Sequence, residues 1–391
     1  MRILLVHNYY QQPGGEDVVF AAERDLLRAR GHDVHTFTDH NDRIRSMRST
    51  TLAVDTIWSR TNFAAVRAAL RRTNAQVMHV HNTFPLLSPA VYAAAAAEKV
   101  PVVQTLHNYR LVCPAATLFR MGAPCRACMD AALPWPAVRH ACYQANRIRS
   151  FGVVSMLLLH RMRGTWSRAV TRYVVMSRFA RDLFIEAGIP DDRLVVKPHF
   201  VAPDPGVGAG DGGYVLYVGR LDAPKGVETL CRAWQAIDDL PLKIVGDGPL
   251  SGRVKALVGA KDNVQVLGHR QRDEVAELMG RASLLVVPSE WYEPFGLVIV
   301  ESFARGTPVL ASAIGPLTEL VEDGVNGATF TAGEPTDLAT QARRLLSRPE
   351  RLLPLRDVAR RSYLTRYTAD RNYQQLMAVY DEAIGVSRAQ P

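Results

Sequence analysis

Short apolar runs alternate with longer stretches of helical period along almost the whole chain. "RILLV" (2–6) is apolar after its first residue, the pattern of a strand buried on both faces. "EDVVFAAERDLLRARG" (16–31) then spaces its apolar residues for a helix and stops at a glycine. "HDVHTFT", "QVMHVH" and "PVVQTLH" predict further strands, with "SPAVYAAAAAEK" as a helix between two of them. "RYVVMS" (172–177) with "RFARDLFIEAG" makes another strand–helix pair, and "RLVVK" one more strand.

The alternation stops at "VAPDPGVGAGDGG" (201–213), where Pro, Gly and Asp dominate and no apolar period survives. It restarts with "YVLYVG", "LKIVG", "NVQVLG", "SLLVVPS" and "PVLAS" as strands, each followed by a helix. The pattern predicts an α/β protein of two doubly wound Rossmann-like domains facing a cleft. Their expected extents are 1–200 and 214–370, with 201–213 as linker. Residues 371–391 form a last helix, expected to cross back to the first domain. Residues 108–170 fit no alternation and read as an insertion in the first domain.

Length and composition agree with this picture. The 391 residues suffice for two full cores, and 48% apolar with 22% charged residues is an ordinary globular balance. A formal charge of +9 favours anionic partners without choosing among phosphate-bearing small molecules, acidic lipids and nucleic acid. "MRILLVHNYY" reads as a first strand, not a signal peptide. No run of about 18 apolar residues is present to span a bilayer. The expected compartment is the cytosol.

Candidate chemistry gathers in loops at the carboxyl ends of strands, where open α/β sheets bind ligands. In "YVGRLDAPKGVETL" (217–230), Arg220 and Lys225 are placed to straddle a diphosphate, the one as a planar fork and the other as a mobile point charge. Two solvated surface cations fit the same spacing. "KIVGDGPL" (243–250) is a tight strand-to-helix turn that lacks the full dinucleotide fingerprint. "EPFGLVIVE" (293–301) puts Glu293 in the loop after "SLLVVPS" and Glu301 about two turns into the next helix. The backbone N–H groups of Phe295, Gly296 and Leu297 open that helix. Carboxylates so placed can accept hydrogen bonds from sugar hydroxyls. "GPLTELVEDGVNGATF" (315–330) reads as another helix start and a turn-rich return.

Taken in order, "GRLDAPKG", "VGDGP", E-x7-E and the following "A.G.PV…S..G…E…DG.NG" resemble the retaining glycosyltransferases of family 4, glycosyl transferases group 1, which have the GT-B fold. The resemblance spans nearly the whole chain and is strongest over 214–330. It implies transfer of a hexose-type sugar from a UDP- or GDP-type donor to a glycan, lipid-linked or secondary-metabolite acceptor, without a catalytic cofactor or divalent metal. It implies that Arg220 and Lys225 hold the diphosphate, Glu301 the ribose and Glu293 the donor sugar, with Phe295, Gly296 and Leu297 contributing backbone N–H groups. Arg270 would sit near the base or simply on the surface. In the first domain, "QQPGGEDVV" resembles the family's glycine loop, giving Gly14 and Gly15 a place beside the phosphates and acceptor. His107 matches the family's active-site histidine, and His81 shares its strand-end placement. The chain departs from many relatives at "KPHFV", with His199 and Phe200 where an Asn-Gly pair is common.

Cys113, Cys125, Cys128 and Cys142 follow C-x11-C-x2-C-x13-C, a spacing that suits structural zinc or metal-free thiols, with redox chemistry or disulfides less favoured in a reducing cytosol. Arg147, Arg149, Arg161, Arg163 and Arg168 flank a hydrophobic stretch, which suits either an anionic membrane face or a core-facing helix with solvated arginines. Two other functions stay open at this point. A sugar-nucleotide epimerase of the same fold would need no acceptor. A non-catalytic anion- or nucleic-acid-binding protein would use the positive field, although the chain has no nucleic-acid module, so nucleic acid is not an expected partner.

Overall fold

A computed structural model describes residues 1–12, 14–259, 261–348, 350 and 352–389, so Pro13 of the glycine loop lies outside it. The chain forms two compact units. The first comprises Met1–Leu118, Arg126–Pro198 and Asn372–Pro391; the second comprises Phe119–Cys125 and His199–Arg371.

The first unit is built on strands β1 (Arg2–Tyr9), β2 (Asp33–His40), β3 (Val77–Val80), β4 (Val102–Thr105), β5 (Arg172–Val175) and β6 (Leu194–Val196), in the order β2-β1-β3-β4-β5-β6. All neighbours are parallel, and Ile3 pairs with Val34 on one side and Val77 on the other. β3 and β4 are buried along their whole length, their polar His79, Gln104 and Thr105 included. β2 lies at the edge, and its alternating burial matches the mixed "DVHTFTDH". One face of the sheet is closed by helices Gly15–Ala29 and Ala369–Ala389. They bring Phe20, Leu27, Leu376, Val379, Tyr380 and Ala383 onto Ile3, Leu5 and Val103.

The second unit has strands β7 (Val215–Val218), β8 (Leu242–Val245), β9 (Val264–Gly268), β10 (Leu284–Val287), β11 (Val309–Ser312) and β12 (Gly327–Phe330), in the order β9-β8-β7-β10-β11-β12. The order changes direction between β1 and β3 in the first sheet and between β7 and β10 in the second. At such switch points the loops leaving the strands diverge and leave a ligand-sized crevice.

Three segments add to the sequence reading. Residues Gly327–Phe330 pair with β11, although the preceding "DGVNG" makes the stretch read as turns only. Residues 201–213 adopt no helix or strand, yet they are not a free tether. Gly208, Gly210 and Gly212 donate to the carbonyls of Arg305, Gly280 and Arg281, binding the segment into the second unit. Between β4 and β5 the chain adds no strand to the sheet. It contributes helix Arg147–Met162, capped by the Asn146 side chain accepting from the Arg149 N–H at 3.0 Å. Val153, Met156 and Leu157 of this helix pack with Phe84, while Ile148 and Phe151 are 82% and 54% exposed.

Candidate functional site

In the second unit, the loop after β7 carries Arg220 and Lys225, and the loop after β10 carries Glu293. These loops are joined tightly. Glu290 N–H donates to the Pro224 carbonyl at 2.9 Å, and the Thr229 hydroxyl donates to the Glu290 carboxylate. Gly226 sits at φ +65°, and a Cβ there would run into the Pro288 carbonyl oxygen. Only glycine lets the loops approach this closely.

The approach brings Lys225 Nζ within 2.6 Å of Glu293 Oε1, which also accepts from the Ser289 hydroxyl at 2.7 Å. Burial by itself would raise the Glu293 carboxyl, but the Lys225 ammonium and the hydrogen bonds outweigh it and hold the group below the usual carboxylate range. Lys225 also lies 5.6 Å from the Trp291 ring centre. Arg220 projects half-exposed, its Nε 3.3 Å from Asp222 Oδ2. Burial raises the Asp222 carboxyl, against the pull of Lys225 and Arg220.

Helix Leu297–Ala304 starts at Gly296, whose carbonyl accepts from the Ile299 N–H at 2.9 Å, so the N–H groups of Leu297 and Val298 before it have no partner inside the helix. Phe295 is buried edge-on against His199, with ring centres 5.2 Å apart. The unusual His199 thus braces the start of that helix, and Phe200 beside it is buried. The Glu301 carboxylate, in the second turn, has no hydrogen bond or ion pair among the described residues. Burial raises its carboxyl, and Arg272 only partly opposes this. The structure therefore joins Lys225 to Glu293, sets Arg220 in the same loop, leaves Glu301 unengaged and leaves Arg270 exposed. Ser289, Asp222 and Trp291 escaped the sequence reading. Their signal was only proximity to the motif residues.

In the first unit, His107 lies just past β4 and is buried, its Nε2 3.0 Å from His81 Nδ1. Gly14 caps helix Gly15–Ala29 in extended backbone. Asp17 fixes that start: Oδ2 accepts from Gly14 N–H and Oδ1 faces His7 Nε2, both at 2.7 Å. A Cβ at Gly14 or Gly15 would meet nothing within 4 Å, so neither close packing nor a strained turn requires glycine at these positions. Glu16 was missed entirely. Its oxygens lie 3.3 Å from Asn82 Nδ2 and 3.5 Å from Asn108 Nδ2, so it ties the start of helix Gly15–Ala29 to the loops after β3 and β4. Burial, seconded by Asp17, pushes its carboxyl up to about 8, against the Tyr10 hydroxyl, Arg110 and Asn108. The acid beside "GG" was visible; its burial was not.

Among the described residues, one group of metal-ligating side chains has its ligand atoms within 4.8 Å of one another: Glu23, His79 and His81. Lys197 Nζ already lies 2.7 Å from Glu23 Oε1, which supplies the positive charge a metal would bring. The four cysteines of the zinc reading make no such group. Cys113, Cys128 and Cys142 belong to the first unit and Cys125 to the second.

Two family models match the chain, one described as Glycosyltransferase Family 4 over residues 13–205 and one as Glycosyl transferases group 1 over residues 207–362. An alpha-D-kanosaminyltransferase of Streptomyces kanamyceticus is 27% identical over 295 residues, covering 72% of this chain and 71% of that one. Two uncharacterized glycosyltransferases of Methanocaldococcus jannaschii are 39% and 37% identical over 36% and 34% of this chain, and the chain spans only 40% and 35% of their lengths. Sucrose-phosphate synthase from Thermosynechococcus elongatus superposes with a TM-score of 0.72 at 19% identity, covering 98% of this chain and 99% of that one. Anabaena HepE in complex with UDP and glucose gives 0.70 at 20% identity, covering 97% and 99%. At these identities the structural likeness is one of fold.

Proposed function

The chain belongs to the family 4, group 1 glycosyltransferases of GT-B fold, and we propose that it moves a hexose-type sugar from a nucleotide diphosphate sugar to an acceptor hydroxyl with retention of anomeric configuration. The observation that carries this reading is the Lys225–Glu293 pair, 2.6 Å apart at the carboxyl ends of the two strands where the second sheet changes direction.

In this scheme the donor diphosphate takes Arg220 and Lys225, and Lys225 exchanges Glu293 for a phosphate oxygen. The anomeric C–O bond breaks and negative charge builds on the leaving phosphate, where a fork and an ammonium stabilise it. The acceptor oxygen bonds to the anomeric carbon on the same face, and its proton passes to the leaving phosphate oxygen. Glu293, released by Lys225, accepts hydrogen bonds from the sugar hydroxyls. The N–H groups of Phe295, Gly296 and Leu297 face phosphate and sugar. Glu301 takes the ribose diol. In the first unit, Gly14 and Gly15 leave room for backbone contact, and His107 faces the donor sugar. The two cations carry the charge stabilisation, so the scheme requires no divalent metal.

A uridine diphosphate sugar is the first donor to try, since HepE, a fold relative, is solved with UDP-glucose. The acceptor is a glycan, a lipid-linked sugar or a small polyhydroxylated metabolite, the last supported by relatives named for kanosaminyl transfer and for D-inositol 3-phosphate. Exposed Ile148 and Phe151 beside Arg147 and Arg149 suit peripheral contact with an anionic cytoplasmic leaflet. Co-sedimentation with vesicles that differ only in anionic lipid tests this contact, and equal recovery in both rules it out. For the donor, a thermal-shift panel of UDP- and GDP-sugars is decisive. A ligand at about 100 times its Kd stabilises the fold by about 2.7 kcal/mol. The reading fails if no nucleotide sugar raises the wild-type Tm, or if Lys225→Ala responds as the wild type does.

A further inference from the structure

Two helices of the first unit leave an apolar groove that the transfer scheme does not use. Helix Ser49–Ile57 packs beside helix Arg147–Met162, and the groove between them holds about 440 Å³, the size of a small-ligand site. Leu52 and Ala53 line it from the first helix and Gly152 and Val153 from the second. Phe84 and Tyr143 join them from neighbouring loops, their rings edge to face with centres 5.6 Å apart.

The groove has an outer and an inner end. Asn146, Ile148 and Arg149 are exposed where the second helix begins, whereas Thr56, Phe84 and Val153 are buried. Among the described residues, the one charged side chain lining the groove is Arg149, whose Nη1 donates to Gln144 Oε1 at 2.6 Å. Arg48 and Arg147 stand at the starts of the two helices, beside the lining residues Ser49 and Asn146. At the buried end the Thr56 hydroxyl is already spent on the Leu52 carbonyl at 2.7 Å. An extended peptide laid there would need partners for its backbone N–H and C=O groups. A hydrocarbon chain needs none and gains from each methylene it buries. The positive rim selects a chain that ends in an anion. Gly152 completes the picture. A Cβ there would meet nothing within 4 Å and the backbone is helical, so a larger side chain would enter the groove without disturbing the packing.

We propose that this groove takes one acyl chain of an anionic phospholipid, with the lipid phosphate on Arg149 at the rim. This rests on the peripheral membrane contact of the proposed function and adds to it a site that grips a single lipid. The exposed Ile148 and Phe151 then meet the headgroup region while the groove withdraws one chain from it.

Calorimetric titration of the full chain with octyl phosphate, below its aggregation concentration, tests the groove. One equivalent is expected to bind. Inorganic phosphate should give no heat, and octanol should bind about tenfold more weakly for want of the charged hydrogen bond. Arg149→Gln should lower the affinity for octyl phosphate to that for octanol. Gly152→Leu should weaken octyl phosphate by about tenfold or more, since leucine displaces several methylenes of the bound chain, while its Tm stays at or above that of the wild type because leucine is the better helix former. Ala53→Leu fills the same space from the opposite helix, so the test does not depend on one variant folding. Phe151→Ser, outside the groove lining, should leave octyl phosphate binding unchanged. In co-sedimentation with vesicles of anionic phospholipid, Gly152→Leu should be recovered less than the wild type although every arginine and exposed apolar residue is kept. Octyl phosphate bound as tightly by both leucine variants as by the wild type overturns the groove, and so does a dimer in light scattering that Gly152→Leu dissociates, which would mean that a second copy fills it. Vesicle recovery unchanged in Gly152→Leu sinks the groove and leaves the membrane contact standing. Octyl phosphate bound by a protein that no anionic vesicle recovers overturns the phospholipid as occupant. No nucleotide sugar enters either measurement, so the transfer reading stands or falls separately.

Discussion

Lys225 and Glu293 neutralise each other, and in the proposed scheme a donor phosphate takes the place of Glu293. Lys225→Ala removes that proposed phosphate ligand and leaves a buried carboxylate without its counter-charge. Transfer is expected to fall by about 10²–10³-fold, and stability by about 1.5–3 kcal/mol, the range for a charged hydrogen bond. Glu293 is depressed in the folded state, so its contribution is present above the unfolded carboxylate range and lost as pH falls through it. The stability gap between wild type and Lys225→Ala in urea titrations should therefore shrink toward pH 4. Glu293→Gln should lose transfer while calorimetry still detects binding of the free nucleotide. Glu16 behaves with the opposite sign. Its carboxyl binds a proton more tightly folded, at about 8, than at its ordinary value of 4.5, so its contribution is lost as pH rises through that window. Glu16→Gln mimics the protonated form. The Tm of the wild type relative to Glu16→Gln should decline from about pH 5 to about pH 8 and then level off; a flat difference would mean the carboxyl is solvated. Lys225 and Glu293, which the fold brings together, were legible because each stands in a spaced motif after an apolar run. Glu16, Lys197 and Ser289 were not, because a sequence shows that an acid, amine or hydroxyl is there but not that the fold buries it.

Elements were read where their burial leaves a pattern. β10 is apolar throughout, with both faces covered, and β3 and β4 are as fully buried although His79, Gln104 and Thr105 interrupt their apolar runs. β12 was lost because a four-residue strand behind "DGVNG" carries more turn signal than strand signal. The glycine-rich 201–213 was read as a linker for the same reason. Its carbonyl partners Gly280, Arg281 and Arg305 lie far along the chain, where spacing cannot show them. Gly226 belongs to this scale too, since its work is to let two loops touch. Gly226→Ala must adopt a left-handed backbone and push back the Pro288 carbonyl. The expected cost is more than about 1 kcal/mol, with a larger fall in nucleotide-sugar affinity as Lys225 moves off Glu293. Paired denaturant and calorimetric titrations separate the two effects. A variant as stable and as tight-binding as wild type would show that the loops do not need this contact.

The last helix makes the two units unequal partners in the chain. Ala369–Ala389 follows the second unit in sequence, but its side chains complete the core of the first: Leu376, Val379, Tyr380 and Ala383 are each at most 2% exposed against Ile3, Leu5 and Val103. Fully burying side chains of this size contributes about 1.5–3 kcal/mol each, and a whole domain holds only about 5–15 kcal/mol in reserve. Tyr380 also engages His79 Nδ1, so its loss strips a hydrogen bond from the buried imidazole. Shortening the chain after Arg371 should therefore unfold the first unit and spare the second, whose core of Val215, Trp234, Leu242 and Ile244 draws nothing from that helix. Hydrogen exchange read by mass spectrometry distinguishes the cases. Protection should collapse across β1, β3 and β4 and persist across β7, β8 and β10. Since Arg220, Lys225, Glu293 and Glu301 all lie in the surviving unit, the shortened chain should still bind nucleotide diphosphate while losing transfer. Protection retained in β1 and β3 would show that the first unit's core stands without the helix, and lost nucleotide binding would show that the donor site needs more than the second unit.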